Sequence, residues 1–196
     1  MTPDITAEKK QIREKMLAVR RAMSPAARAA ADCSIAEQVT ALPVFQAAKQ
    51  VFAYVSMPHE VGTESLLNAV LSAGKRLGLP VCRTKTHQMD FYRLDALTEL
   101  TEGAYRIPVP PEAPDRLLIP DADTLVIVPM LALDANGYRI GAGGGYYDRF
   151  LAAHPEVHPV GICYAECLTD ALPHDIYDKQ IACCITQRQT EEHHAE

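Results

Sequence analysis

The sequence predicts an α/β protein with a largely parallel central sheet, built as a single domain. Three observations carry this. Short apolar runs recur at 51–55 (VFAYV), 124–128 (TLVIV), 160–164 and 181–185, with helical segments between them. Strands alternating with helices require parallel pairing through crossovers. The runs are apolar nearly throughout, as befits strands covered on both faces. No repeat or linker divides the chain, so one domain over 1–187 is expected, with a flexible tail at 188–196.

The elements follow in order. Ile5, Ile12, Met16, Val19 and Met23 fall on one helical stripe, and the other face carries Lys9, Lys10, Arg13, Lys15, Arg20 and Arg21. Ser24 and Pro25 suit the N-cap and first residue of a second helix, which runs to about Leu42 and is closed by Pro43. After the buried strand at 51–55, Thr63 is the expected N-cap of a helix ending at Gly74. Leu79–Arg83 and the alternating Met89–Leu94 read as strands, and the proline-rich stretch 101–123 as an irregular surface excursion. Thr124–Val128 is the most strand-like run. A glycine-rich loop follows it, then the helix YYDRFLAAH, stopped by Pro155, and the last two buried strands.

Hydrophobic residues at 48% and charged residues at 22% are ordinary for a globular protein. The net charge of −6 argues against duplex nucleic acid as the main partner. The N-terminus has no apolar signal core and no run spans a membrane, so no membrane partner is expected and the location is expected to be cytoplasmic. Six scattered cysteines in a reducing compartment predict free thiols. Cys82, Cys163, Cys183 and Cys184 lie in apolar strands and read as core residues.

The segment Gly137–Arg149 carries the chemistry. Gly143, Gly144 and Gly145 let backbone approach a ligand closely, just before a helix whose free N–H groups favour an anion. Arg139 and Arg149 could add charge-assisted hydrogen bonds to a phosphate. Neither the dinucleotide fingerprint nor the P-loop fits: Tyr146 stands where a third glycine is needed, and no Gly-Lys-Ser/Thr follows. A tight turn with no ligand is the bland alternative, but strand, loop, helix and arginines in this order favour phosphate. Asp148, in the first helical turn, either offsets the helix dipole, worth about 0.3–1 kcal/mol, or holds Mg²⁺ beside a phosphate. The residues alone leave both open.

This segment, VPMLALDANGYRIGAGGGYYDRFL, closely resembles the signature of the 5-formyltetrahydrofolate cyclo-ligase family. The resemblance extends to Lys9-x-x-x-Arg13, YVSMPHEVGTESLL and LPHDIYDKQI, in order and spacing. It implies a three-layer α/β/α fold and conversion of 5-formyltetrahydrofolate to 5,10-methenyltetrahydrofolate, with ATP as co-substrate and Mg²⁺ as cofactor, releasing ADP and phosphate. It implies ATP contacts from Lys9, Lys10, Gln11, Ile12, Arg13, Arg139, Ile140, Gly141, Ala142, Gly143, Gly144, Gly145, Tyr146 and Tyr147. Folate contacts are implied for Val55, Glu60, Ala142, Gly143, Gly144, Gly145 and Tyr146, and metal contacts for Asp148 and Asp175. Arg139 and Lys9 are the expected catalytic cations, and the assembly a monomer or weak homodimer. Read without the resemblance, Lys9 and Arg13 are a solvated helix face and Glu60 a loop acid. This chain has Ala142 where the family usually has a larger residue, and Met130 and Leu133 where Gly and Phe are frequent. The competing classes are a sugar-phosphate isomerase or coenzyme A transferase on a related scaffold, and a non-catalytic nucleotide- or folate-binding module. The joint presence of Lys9, Arg13, Glu60, Arg139, Asp148 and Asp175 weighs against the last.

Overall fold

The computed structural model describes residues 4–103, 107–188 and 190–192. Helix α1 (Ile5–Ala22) begins where the Asp4 carboxylate accepts from the Thr6 and Ala7 amides. Helix α2 (Pro25–Ala41) begins as expected, with Ser24 Oγ accepting from Ala27 N. Pro43 both ends α2 and starts a short helix, α3 (Pro43–Ala47), since proline suits a first helical turn.

Among the described residues the central sheet has eight strands. They are β1 (Gln50–Phe52), β2 (Arg76–Arg83), β3 (Gln88–Leu94), β6 (Leu117–Leu118), β7 (Thr124–Pro129), β10 (His158–Ile162), β12 (Cys183–Ile185) and β13 (Thr190–Glu192). The order is β13-β12-β10-β7-β1-β2-β3-β6. From β12 across to β2 every pairing is parallel, while β3, β6 and β13 join antiparallel. The proline-rich stretch contributes β6 and a separate antiparallel pair, β4 (Thr101–Glu102) and β5 (Pro108–Val109). Residues 190–192, within the segment expected to be a tail, pair with β12, and 193–196 lie outside the described residues.

Helices α4 (Glu64–Ser72) and α5 (Tyr146–Ala153) connect β1 to β2 and β7 to β10. These connections step in opposite directions along the sheet, so right-handed crossovers place α4 and α5 on opposite faces. Packing agrees: α2 lies on α4, while Phe150 of α5 meets Phe52 and Phe91 on the other face. The expected three-layer α/β/α arrangement is therefore borne out.

Local details differ from expectation. Thr63 occupies the N-cap position of α4 as expected but makes no side-chain cap bond; its hydroxyl donates to Tyr54 O and accepts from Ser56 N, which fixes the turn after β1 instead. Gly74 does end that helix, at φ +67°. The expected loop after β7 contains a hairpin, β8 (Ala132–Asp134) with β9 (Arg139–Ile140), extended by β11 (Leu168–Thr169). Asp134 Oδ1 accepts from the amides of Asn136 and Tyr138, and Oδ2 from Leu172, so one buried carboxylate fixes this turn. Two further corrections concern single side chains. Arg20, expected on a solvated face, is buried, and Cys82, expected in the core, is exposed.

Because the chain leaves β1 and β7 toward opposite edges of the sheet, a crevice forms outside their carboxyl ends, where open α/β sheets bind ligands.

Candidate active site

A cavity of about 880 Å³ occupies that crevice, within the range of small-molecule sites. Its walls come from α1, the loop after β1, the end of β2, the glycine segment and the start of α5. Lys9, Arg13 and Arg20 reach it from α1 because intervals of four and seven residues place them on one face. The seven-residue spacing from Arg13 puts Arg20 on this face, though spacing alone does not show that it is buried.

Each of these cations is already engaged. Lys9 Nζ lies 2.5 Å from Asp178 Oδ2 and 3.5 Å from Asp175 Oδ2. Arg13 Nε donates to Gly141 O at 2.9 Å. Gly143 has φ +102°, and a Cβ there would stand 3.2 Å from the Arg13 guanidinium carbon, so glycine admits this close approach. Arg20 donates to His59 O at 3.0 Å and to Met130 O, tying the loop after β1 to the loop after β7.

Arg139 leaves β9 into a nearly closed environment. Its Nη1 donates to Lys179 O at 2.6 Å and its Nη2 to Asp148 Oδ1 at 2.8 Å. The same Asp148 oxygen accepts from Lys179 N at 3.1 Å. Arg139 thus faces the cavity while paired with the first turn of α5.

The opposite wall is less polar. Val55 is half-buried, and Glu60 Oε2 accepts from Met57 N at 2.7 Å. Burial raises the Glu60 pKa above its ordinary value, against the Met57 amide and the charge of Arg20, which favour the anion. The Tyr147 hydroxyl is buried with no hydrogen-bond partner among the described residues, and burial pushes its pKa up. Such an orphaned group on a cavity wall suits a ligand contact. Tyr146 packs near His87, with the Arg149 guanidinium 5.9 Å from its ring centroid.

Asp148 and Asp175 both line the cavity, and the Asp175 carboxyl is held below its ordinary pKa by the Tyr177 amide and by Lys9. Among the described residues no three metal-binding side chains cluster. Two carboxylates fit an Mg²⁺ ion that takes its other oxygens from phosphates and water, but not a metal held by protein alone.

Of the other residues implied by the resemblance, Ile140, Gly141, Ala142, Gly144 and Gly145 also line the cavity. Lys10, Gln11 and Ile12 do not: the first two are exposed, and Ile12 packs on the core. Asp178, Tyr54 and Cys82 line it without having been expected. No helix among the described residues is long and apolar enough to cross a membrane.

The model of the 5-formyltetrahydrofolate cyclo-ligase family matches residues 5–187. A 5-formyltetrahydrofolate cyclo-ligase of Mycolicibacterium smegmatis is 31% identical over 190 residues, covering 92% of this chain and 94% of the relative. A probable 5-formyltetrahydrofolate cyclo-ligase of Schizosaccharomyces pombe is 30% identical over 168 residues, covering 78% and 82%. The solved structure of an Aquifex aeolicus 5,10-methenyltetrahydrofolate synthetase superposes with a TM-score of 0.77 at 29% identity, covering 94% of this chain and 92% of that one.

Proposed function

The chain belongs to the 5-formyltetrahydrofolate cyclo-ligase family, and from that premise we propose that its cavity joins ATP, Mg²⁺ and 5-formyltetrahydrofolate in one phosphoryl-activated ring closure. As a ligase of this family it converts 5-formyltetrahydrofolate to 5,10-methenyltetrahydrofolate. The observation that carries the finer reading is the division of the cavity, with cations and glycine amides on one wall and a half-buried carboxylate on the other.

A formamide carbon is a poor electrophile because its oxygen leaves poorly. In the proposed sequence the formyl oxygen attacks the γ-phosphorus of ATP and the bond to the β-phosphate oxygen breaks, releasing ADP. The folate secondary amine then adds to the activated carbon and loses its proton. Inorganic phosphate departs with the former formyl oxygen, leaving the cationic methenyl bridge.

Lys9 and Arg13 are assigned to the phosphates, exchanging Asp178 and the Gly141 carbonyl for more strongly charged partners. Arg139, anchored by Asp148, orients the glycine segment and supplies fixed positive charge where negative charge moves toward ADP. Glu60 accepts from the pterin amino and amide N–H groups, and the Tyr147 hydroxyl is free to add one hydrogen bond. Asp148 and Asp175 would hold Mg²⁺, which supplies charge neutralisation across the phosphates when bound. Most of the acceleration is then positioning and electrostatics. We place this activity in the cytoplasm, in a monomer or weak homodimer.

The test is absorbance in the methenyl-folate band with purified protein, 5-formyltetrahydrofolate and Mg²⁺, with and without ATP. An ATP-dependent rise is expected. A folded protein that gives no rise overturns the reading.

A further inference from the structure

Arg20 is 1% exposed, and among the described residues no carboxylate lies within ion-pair distance of it. A buried guanidinium without a counter-ion is costly, and backbone carbonyls satisfy its hydrogen bonds without cancelling its charge. Besides the Tyr164 ring, whose centroid is 5.4 Å from Cζ, two sulfurs adjoin it: Cys167 Sγ lies 3.5 Å from Nε and Cys163 Sγ 3.7 Å from Nη2. The two thiols are both fully buried, lie four residues apart in the chain and face the same guanidinium. A 3₁₀ turn brings them together, with Cys167 N donating to Tyr164 O at 2.9 Å directly after β10 ends.

We propose that Cys163 and Cys167 form a peroxide-oxidisable dithiol behind the cavity wall, and that closing it to a disulfide weakens folate binding. The hydrogen bond from Cys163 and the charge of Arg20 hold the Cys167 thiol below its ordinary pKa while Cys163 is pushed up, so the pair has one nucleophile and one resolving thiol. The Cys167 thiolate attacks one oxygen of hydrogen peroxide, the O–O bond breaks, and a sulfenic acid and hydroxide form. Cys163 gives up its proton and attacks that sulfur, and the sulfenic hydroxyl leaves. Two thiols and one peroxide thus become one disulfide and two waters. The sulfurs must close to about 2.05 Å, and the oxidant must be small. Arg20 and Met130 line the cavity, so the pair sits one side chain behind it.

Oxidation turns the Cys167 sulfur, favoured as an anion beside Arg20, into a neutral disulfide sulfur. The same guanidinium holds His59 O and Met130 O, and His59 adjoins Glu60, so the effect travels to the folate wall. That functional half rests on the proposed function; the disulfide does not.

The experiment treats the whole protein with hydrogen peroxide, with and without 5-formyltetrahydrofolate, and maps disulfides by peptide mass. Expected are a Cys163–Cys167 bridge, slower bridging with folate present, and at least a roughly tenfold weaker folate dissociation constant that dithiothreitol restores. In Cys163→Ser, dimedone should trap a sulfenic acid at Cys167; should that variant fail to fold, the wild-type map still decides. Oxidation of exposed Cys33 and Cys82 with Cys163 and Cys167 left as thiols overturns the proposal, as does a Cys163–Cys184 bridge. A bridge that leaves folate affinity unchanged overturns the functional half. Untreated protein that binds no folate instead counts against the proposed function, while the mass map still decides the chemistry.

Discussion

Arg139 and Asp148 hold each other at the cavity, with Nη2 donating to Oδ1 at 2.8 Å and the arginine side chain only 4% exposed. Nine residues apart, they join β9 to the first turn of α5 around the glycine segment. The sequence left dipole offset and Mg²⁺ as alternatives for Asp148; its partner in the structure is a buried arginine, which neither reading named.

Arg139→Ala should reduce turnover at saturating ATP by about a hundredfold or more, comparable to removing a preorganised donor. It should also cost stability, about 3 kcal/mol, because the Asp148 carboxylate loses its buried partner. Asp148→Asn separates the roles. An amide oxygen can still accept from Arg139 and Lys179, so a folded variant whose Mg²⁺ requirement rises points to the metal. One with unchanged Mg²⁺ dependence makes Asp148 an anchor only.

Lys9 is latched to Asp178 and Asp175 across the mouth of the cavity. Lys9→Ala should raise the Michaelis constant for ATP about tenfold, the cost of one phosphate contact. Steady-state kinetics checks this. Asp178→Asn frees the ammonium and should move the constant the opposite way; an unchanged constant in both variants would return Lys9 to the helix surface.

Glu60 gives a pH signature. Its pKa in the free protein is raised from 4.5 by burial, so it binds a proton where an unfolded-chain glutamate does not. The folded state therefore holds more protons in the window above 4.5, and this group's contribution to stability falls as pH rises through it. With Glu60 assigned to the pterin in the proposed function, folate affinity should be full above the raised pKa and decline as pH falls through it. Glu60→Gln should weaken folate binding and flatten that decline, as titration calorimetry across pH would report.

The Tyr147 hydroxyl has no partner to lose among the described residues, so Tyr147→Phe should leave the melting temperature unchanged or slightly higher. Its effect should fall on the Michaelis constant for folate. A clear loss of stability would show that the hydroxyl supports the fold instead.

Periodicity made the sheet legible, because buried parallel strands are apolar throughout and their bounding prolines and glycines punctuate the chain. It under-read β2, whose first residue is Arg76, since parallel partners and not side-chain character pull that end into the sheet. The hairpin β8–β9 was hidden because Asp134 and the glycines that build it also describe a loop. At the site, the glycine segment and Asp148 were visible as types in order. The burial of Arg20 was not, because an arginine among lysines on one helix resembles solvent-facing charge until two sulfurs and two carbonyls are folded against it.

The turn governed by Asp134 bears on how the protein ages. Asn136-Gly137 is a dipeptide in which the glycine amide nitrogen readily attacks the asparagine side chain, closing a succinimide that reopens mostly as isoaspartate. Here that nitrogen is donated to Asp134 O at 3.1 Å, and the Asn136 amide to Asp134 Oδ1, so the nucleophile is occupied while the turn stays closed. Isoaspartate would insert an extra backbone carbon three residues before Arg139. Peptide mapping of stored protein should therefore find residue 136 intact far longer in the folded chain than in urea, and the chemical lifetime of the site is set by how often one hairpin opens.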